Sequence, residues 1–202
     1  MTPARLDVVI ATRNAHKLRE LARLFPLRGI RWHSLAEFPE APRVRERGRT
    51  YQANAITKAR AAARATGRLA LADDSGIEVQ ALGWRPGIRS ARFAGSHGDD
   101  QANNDKLLRL LRGVPASKRA ARYRCALALA SPTRLIRLTH GTWTGRIAAA
   151  PAGHGGFGYD PLFLLPLPDA RSSAELPTEE KNRLSHRAAA AALMAQEIAA
   201  LF

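Results

Sequence analysis

"ALADDSGIEVQAL", residues Ala70 to Leu82, sets two adjacent carboxylates, a hydroxyl and a glycine between two short apolar runs. The upstream run, "LALA", reads as a buried strand. Beyond Gly76, Ile77, Val79 and Ala81 alternate with less apolar positions, the pattern of a half-buried strand. Asp73 and Asp74 are therefore expected at a strand junction, where one strand gives out and the next begins. A plain turn needs a single Asp or Asn before its glycine. The second carboxylate asks for a cation.

Working outward toward the N-terminus, "LDVVIA" (Leu6 to Ala11) has the composition of a buried strand and runs directly into "TRNAHK". Leu18, Leu21, Ala22 and Phe25 follow at i, i+3, i+4 and i+7, a helical stripe stopped by Pro26. A second, alanine-rich helix is expected from Gln52 to Thr66, ended by Gly67, and it feeds "LALA". Toward the C-terminus come a loop, "GWRPGIRSARFAGSHGDD", and a helix around "NNDKLLRLLRGV". Two β-like runs, "ARYRCALALAS" and "RLIRLTHGTWTGRI", are separated by the turn residues Ser131, Pro132 and Thr133, which suggests an antiparallel pair. The glycine-rich "GHGGFGYDPLFLL" precedes a final alanine-rich helix whose Met194, Ile198 and Leu201 form a core stripe. Helices interleaved with strands, plus one hairpin, predict an α/β fold with a mixed sheet.

The chain's 202 residues suit one domain, or one domain with two lobes, and 46% hydrophobic residues exclude the disordered class. The single cysteine, Cys125, rules out an internal disulfide; in "RYRCALALA" it reads as a small buried hydrophobe in a reducing compartment. The apolar run near the N-terminus is too short for a secretory signal, and charges interrupt the longer apolar stretches, so a cytoplasmic protein with no membrane partner is expected. The formal net charge of +15 favours polyanionic partners, yet basic residues are scattered without a dense tail or aromatic-interleaved patch. No specific nucleic-acid partner is expected.

Three chemistries compete. Gly153, Gly155 and Gly158 satisfy the dinucleotide spacing G-x-G-x-x-G, but that fingerprint opens a helix, whereas "YDPLFLL" with Pro161 follows here. Ser75 as a nucleophile lacks the G-x-S-x-G elbow. Metal-assisted phosphoryl chemistry accounts for the aspartate pair, because Mg²⁺ takes carboxylate oxygens alongside substrate phosphates. Adjacent side chains of an extended segment point to opposite faces, so one aspartate should be catalytic and the other supportive. "TRNAHK" at a helix start offers backbone N–H groups, Asn14 and Lys17 to phosphates.

Taken together and in order, "IATRNAHKLRE", "TYQANAITKA", "LADDSGIEVQALGWRPGIRSARFAG", "GGFGYDPLF" and "EEKNRLSHRAAA" resemble the inosine triphosphate pyrophosphatase family, the dITP/XTP pyrophosphatases, over nearly the whole chain. The resemblance implies one two-lobed domain over residues 1–202, with a long mixed central sheet flanked by helices and a nucleotide cleft between the lobes. It also implies Mg²⁺-dependent hydrolysis of ITP, dITP or XTP to the nucleoside monophosphate and pyrophosphate, by a cytoplasmic homodimer that keeps such bases out of DNA and RNA.

Carried over residue by residue, Thr12, Arg13, Asn14, Ala15, His16 and Lys17 match the triphosphate-binding segment, and Lys58 a phosphate-directed lysine. Asp74 matches the catalytic base and metal-linked carboxylate, Asp73 its neighbour, Ser75 a substrate contact, and Glu46 an additional acidic residue near the metal. Asp74 could hold the metal or accept a proton from the attacking water, and sequence does not separate the two. Phe157, Gly158, Tyr159 and Asp160 match the base-binding turn; Lys181, His186 and Arg187 match contacts from the C-terminal part. Ala53 stands where bacterial relatives often carry Glu, and Arg13 where many carry a small or neutral residue. The competing readings are a basic nucleic-acid-binding protein and a pyrophosphatase of the Maf-like kind that acts on other nucleotides.

Overall fold

The structure, a computed structural model, describes residues 6–200 of the chain. Strand β1 (Leu6–Ile10) pairs in parallel with β2 (Ile30–Ser34) on one side and with the start of β3 (Leu69–Val79) on the other. A parallel strand with neighbours on both edges and cover on both faces needs an unbroken apolar run. "VVI" supplies it, with Val8, Val9 and Ile10 buried.

Helix α1 spans Ala15–Arg23 and stops before the expected Phe25. Pro26 disfavours helical geometry at Phe25, and the chain tightens instead through Leu24 N to Leu21 O (3.0 Å) and Phe25 N to Ala22 O (3.2 Å). Helix α2 runs Tyr51–Thr66; the Thr50 side chain caps it by accepting from Ala53 N, and Gly67 closes it as expected.

The strand junction expected at the aspartates is absent: β3 is one continuous strand of 11 residues passing straight through Asp73, Asp74 and Gly76. Asp is a poor strand former, and buried carboxylates cost several kcal/mol unless paired. The pairing exists, and it comes from distant parts of the chain.

Downstream, β4 (Arg85–Pro86) pairs antiparallel with the end of β3, and α3 covers Asp100–Leu110. Strands β5 (Ala120–Ala130) and β6 (Leu135–Ile147) are neighbours joined by Ser131–Arg134, closed by Ser131 N to Arg134 O at 2.9 Å. So short a connection between neighbours makes them the expected antiparallel hairpin. The glycine-rich segment leads into a three-residue 3₁₀ turn, Asp160–Leu162, and β7 (Phe163–Leu164), not into an α-helix, so the dinucleotide reading has no support. Helix α4 (Thr178–Leu184) precedes α5 (His186–Ala199), on which Met194 and Ile198 are fully buried; Leu201 of the expected stripe lies outside the described residues.

Among the described residues the mixed sheet has the order β2-β1-β3-β5-β6-β7, with β4 added to β3. The chain divides into two compact units, each with its own core. One takes in the chain up to Asp74, then Cys125–Gly141 and the chain from Arg187 onward. Its core joins Val8, Ile10, Leu71, Leu127 and Leu129 of the strands to Leu21 of α1 and Met194 and Ile198 of α5. The other comprises Ser75–Arg124 and Thr142–His186, and centres on Ile77, Val79, Tyr123, Trp143, Phe163, Leu107 and Leu111. Full burial of each large apolar side chain contributes roughly 1.5–3 kcal/mol. Cys125 is the buried small hydrophobe expected of it, and burial pushes its thiol far above the ordinary range.

In the first unit, His33 of β2 stands between two carboxylates, Nε2 at 2.8 Å from Asp7 Oδ1 and Nδ1 at 2.9 Å from Glu37 Oε2. The hydrogen bonds to Asp7 and Glu37 raise its pKa, outweighing partial burial, while Arg31 and Arg68 act on the carboxylates. A raised folded pKa means the protonated pair stabilises the fold fully below the unfolded value of about 6.5 and is lost as pH rises through the folded value. Urea unfolding of wild type and His33→Gln is expected to differ most near pH 6 and to converge as the pH is raised above that window.

Candidate active site

Asp73 and Asp74 leave β3 on opposite faces, as adjacent residues of a strand must, and they enter different environments. The Asp73 side chain is only 2% exposed. Its Oδ1 lies 2.5 Å from Lys17 Nζ, and its Oδ2 accepts from Arg187 Nε at 3.2 Å. Arg187 is itself buried and reaches Glu20 Oε1 at 3.3 Å. Burial alone would raise the Asp73 pKa, but Lys17, then Arg187 and Lys58, hold it far below the ordinary carboxylate range. The two cations beside it thus favour the ionised form of Asp73.

Asp74 differs. Its Oδ1 accepts from Lys58 Nζ at 3.0 Å and its Oδ2 from Asn54 Nδ2 at 3.1 Å. Burial, together with the nearby negative charge of Glu46, raises its pKa, with Lys58 and Asn54 opposing. Lys58 donates to Glu46 Oε1 at 2.7 Å, so one ammonium lies between two carboxylates; burial disfavours its charge, but Asp74, Asp73 and Glu46 outweigh that and raise its pKa. A carboxylate whose pKa is raised is the better able to accept a proton.

Asn54, absent from the residues expected at the site, holds this arrangement. Almost fully buried on α2, it spans two partners: Nδ2 donates to Asp74 while Oδ1 accepts from Gly48 N at 2.8 Å. Any side chain at Gly48 would run into Asn54 Oδ1, so glycine is required there to bring the Glu46 segment close. The available signal was an asparagine on the inner face of an alanine-rich helix, where a weak helix former persists only if its amide is satisfied.

At the start of α1, Asn14 caps the helix. Its Oδ1 accepts from Lys17 N at 3.2 Å, and Asn14 N donates to Thr12 Oγ1 at 3.1 Å. Thr12 O accepts from Leu35 N and Ser34 Oγ, which ties the loop to the end of β2. Arg13 extends to Ala41 O at 2.6 Å, a tether for the loop. Ala15 opens α1; the side chain of His16 lies outside the described residues. Ala53 occupies the third position of α2, facing the Thr50 cap, where a glutamate would complete a capping box.

The second unit gathers the remaining candidates around Asp160. This buried carboxylate accepts from Phe157 N (2.8 Å), Ser173 Oγ (2.9 Å), Tyr123 OH (3.3 Å) and Lys181 Nζ. Lys181 Nζ also sits 5.3 Å from the centre of the Phe157 ring, which is 48% exposed. Tyr159 donates to Ser90 O at 2.8 Å, and buried His186 stacks on Tyr123 at 4.7 Å with a 6° interplanar angle. Ser75 is half-buried on β3. The expected residues thus form separate clusters in the two units: Glu46, Lys58, Asp74 and Lys17, Asp73, Arg187 in one, and Phe157 to Asp160, Lys181 and His186 in the other.

Residues 8–197 match the model of the Ham1 family. The chain belongs to the Ham1 family. This Ham1 chain is 53% identical over 184 residues to the dITP/XTP pyrophosphatase of Geobacillus kaustophilus, covering 91% of this chain and 90% of that protein. It is 44% identical over 182 residues to the dITP/XTP pyrophosphatase of Bacillus subtilis, covering 90% and 91%. Its fold matches a solved HAM1 protein from Coxiella burnetii with a TM-score of 0.87 at 39% identity, covering 96% of this chain and 99% of that one. The Ham1 protein of Staphylococcus aureus matches with a TM-score of 0.85 at 37% identity, covering 97% and 100%. Among the described residues, no helix is long and apolar enough to cross a membrane.

Proposed function

We propose that this Ham1 chain is a nucleoside triphosphate pyrophosphatase that hydrolyses ITP, dITP and XTP to the monophosphate and pyrophosphate with Mg²⁺. The observation that supports this most directly is the divergence of two adjacent aspartates, one pinned as an anion by Lys17 and Arg187, the other raised in pKa beside Lys58 and Glu46. Two relatives, at 53% and 44% identity, are named dITP/XTP pyrophosphatase.

Among the described residues no group of three or more His, Cys, Asp or Glu side chains is placed to hold a metal. Mg²⁺ needs less, because it binds through one or two carboxylates plus waters and substrate phosphates. Glu46 and Asp74 are such a pair of oxygen donors, and they already flank a cationic group, Lys58 Nζ. When bound, the ion offsets charge on the phosphates and acidifies a coordinated water.

In this reading Asp74 accepts the proton of the attacking water at a carboxylate oxygen, and Asn54 holds it in orientation. Lys17 and Lys58 offset the charge that develops on the transferring phosphoryl group. Thr12 to Lys17 receive the phosphates at the N-terminus of α1, where helix N–H groups favour anions. Phe157 offers its exposed ring to the purine, and Ser75, Lys181 and His186 are further substrate contacts. A homodimer, a cytoplasmic location and a role in clearing non-canonical purines from the nucleotide pool belong to the same proposal, with residues 1–202 acting as one catalytic domain. The nucleic-acid-binding alternative makes no use of the aspartates.

The bond cleaved is the test. Hydrolysis of dITP in ¹⁸O water is expected to put label in the monophosphate and leave pyrophosphate unlabelled, because attack at the α-phosphorus is what the assignment requires. Label in pyrophosphate, or orthophosphate as the first product, overturns the reading.

A further inference from the structure

The turn that carries Phe157 is gripped from outside by the first turns of α3. Gly158 N donates to Asp100 Oδ2 at 2.7 Å, and Gly158 O accepts from Asn104 Nδ2 at 2.9 Å. Asp100 and Asn104 lie four apart, on one face of the helix, so their side chains hold both polar groups of one residue. Gly158 has φ 64°, a conformation that L residues rarely adopt, and open space surrounds the position of a Cβ. Its glycine therefore serves backbone shape and not close approach.

The grip is rigid at its far end. Asp99 caps α3 by accepting from Ala102 N at 3.0 Å, and Leu107 and Leu111, on α3 and at its end, are fully buried in the core of the second unit. The same helix fixes the preceding loop: Asn103 Oδ1 accepts from Ala94 N at 2.7 Å, and Lys106 Nζ donates to Phe93 O at 2.6 Å. On the inner side, Phe157 N is taken by Asp160, and Phe157 O accepts from Asp160 N at 3.3 Å.

We infer that Asp100 and Asn104 are positioning residues that set the orientation of the Phe157 ring for stacking on the purine, an inference that rests on the proposed assignment of this turn to the base. The backbone N–H and C=O groups of Phe157 and Gly158 are all engaged within the protein, so what these two residues present is a ring face. Stacking on a ring face is indifferent to the substituent at the purine 6-position. Asp100 and Asn104 thus act on affinity for every purine alike, and discrimination lies elsewhere.

Steady-state kinetics with dITP, XTP and GTP on purified full-length variants tests this. Asp100→Ala and Asn104→Leu are each expected to raise KM roughly 10-fold for all three nucleotides, with kcat within about twofold. Asp100→Asn keeps an acceptor oxygen and is expected to restore KM to near wild type. In a Phe157→Ala background, adding Asp100→Ala is expected to change KM by less than about twofold, because the ring it positions is gone. A general loss of folding would not give this pattern, and Asn104→Leu provides the test if Asp100→Ala does not fold. If Phe157→Ala raises KM while neither α3 variant does, the positioning role is wrong and the base-binding turn stands. The role also fails if Asp100→Asn is as impaired as Asp100→Ala, or if the Asp100→Ala and Phe157→Ala effects multiply. A wild-type KM in Phe157→Ala removes the base-binding reading, and the inference with it.

Discussion

Asp74→Asn is expected to lower turnover of dITP by at least about two orders of magnitude while leaving the circular dichroism spectrum unchanged. The substitution keeps the shape of the side chain and lets its carbonyl oxygen still accept from Lys58 or Asn54, so the packing around β3 is retained. What disappears is a carboxylate whose burial, with Glu46 beside it, raises its pKa above the ordinary value. The loss should fall on kcat, because a proton acceptor works in the transition state and not in ground-state binding. Pyrophosphate release measured at saturating Mg²⁺ is the check, and near-normal turnover would remove Asp74 from the chemistry.

The neighbouring residue is expected to fail in a different way. Asp73→Asn strips the charge from the partner of buried Arg187 and of Lys17, whose guanidinium and ammonium then keep only part of their compensation. Breaking a buried pair by removing one partner costs about 3–5 kcal/mol, which for a chain of this size corresponds to a fall in Tm of roughly 10 °C. Glu20 still reaches Arg187, so the low end of that range is the more natural expectation. Thermal denaturation followed by circular dichroism tests it, with Asp74→Asn as the reference; a Tm within about 2 °C of wild type would show that Lys17 and Arg187 do not depend on Asp73.

These two residues also show how far the sequence could be read. The strand of Val8 to Ile10, the α2 helix closed by Gly67, the hairpin at Ser131 to Arg134 and the buried Cys125 were each legible because their causes are local: an apolar run, a stop residue, a turn, an apolar surround. That the two aspartates face different surroundings was legible too, from the alternation of side chains in an extended chain. The continuity of β3 was not. Two carboxylates in mid-strand look forbidden until Lys17, Lys58 and Arg187 are in place, and these arrive from α1, α2 and α5. The end of α1 was misplaced because an apolar periodicity runs on through Phe25 after the hydrogen-bonding pattern has changed. Asp100 and Asn104 could be read as little more than polar residues at a helix start, since nothing local reveals that the peptide they hold belongs to Gly158.

The single carboxamide of Asn54 bears on how the proposed chemistry could be moved to another scaffold. Its donor and acceptor ends face different partners, Asp74 and the Gly48 peptide, so the side chain can sit only one way round. Replacing it by aspartate would set an acceptor against an acceptor, and replacing it by leucine would strand both partners. A transplanted aspartate, even with its lysine, would arrive without the part that aims it. The smallest portable unit is a helix bearing Asn54 and Lys58, a strand bearing Asp74, and a glycine-containing loop close enough to share the amide.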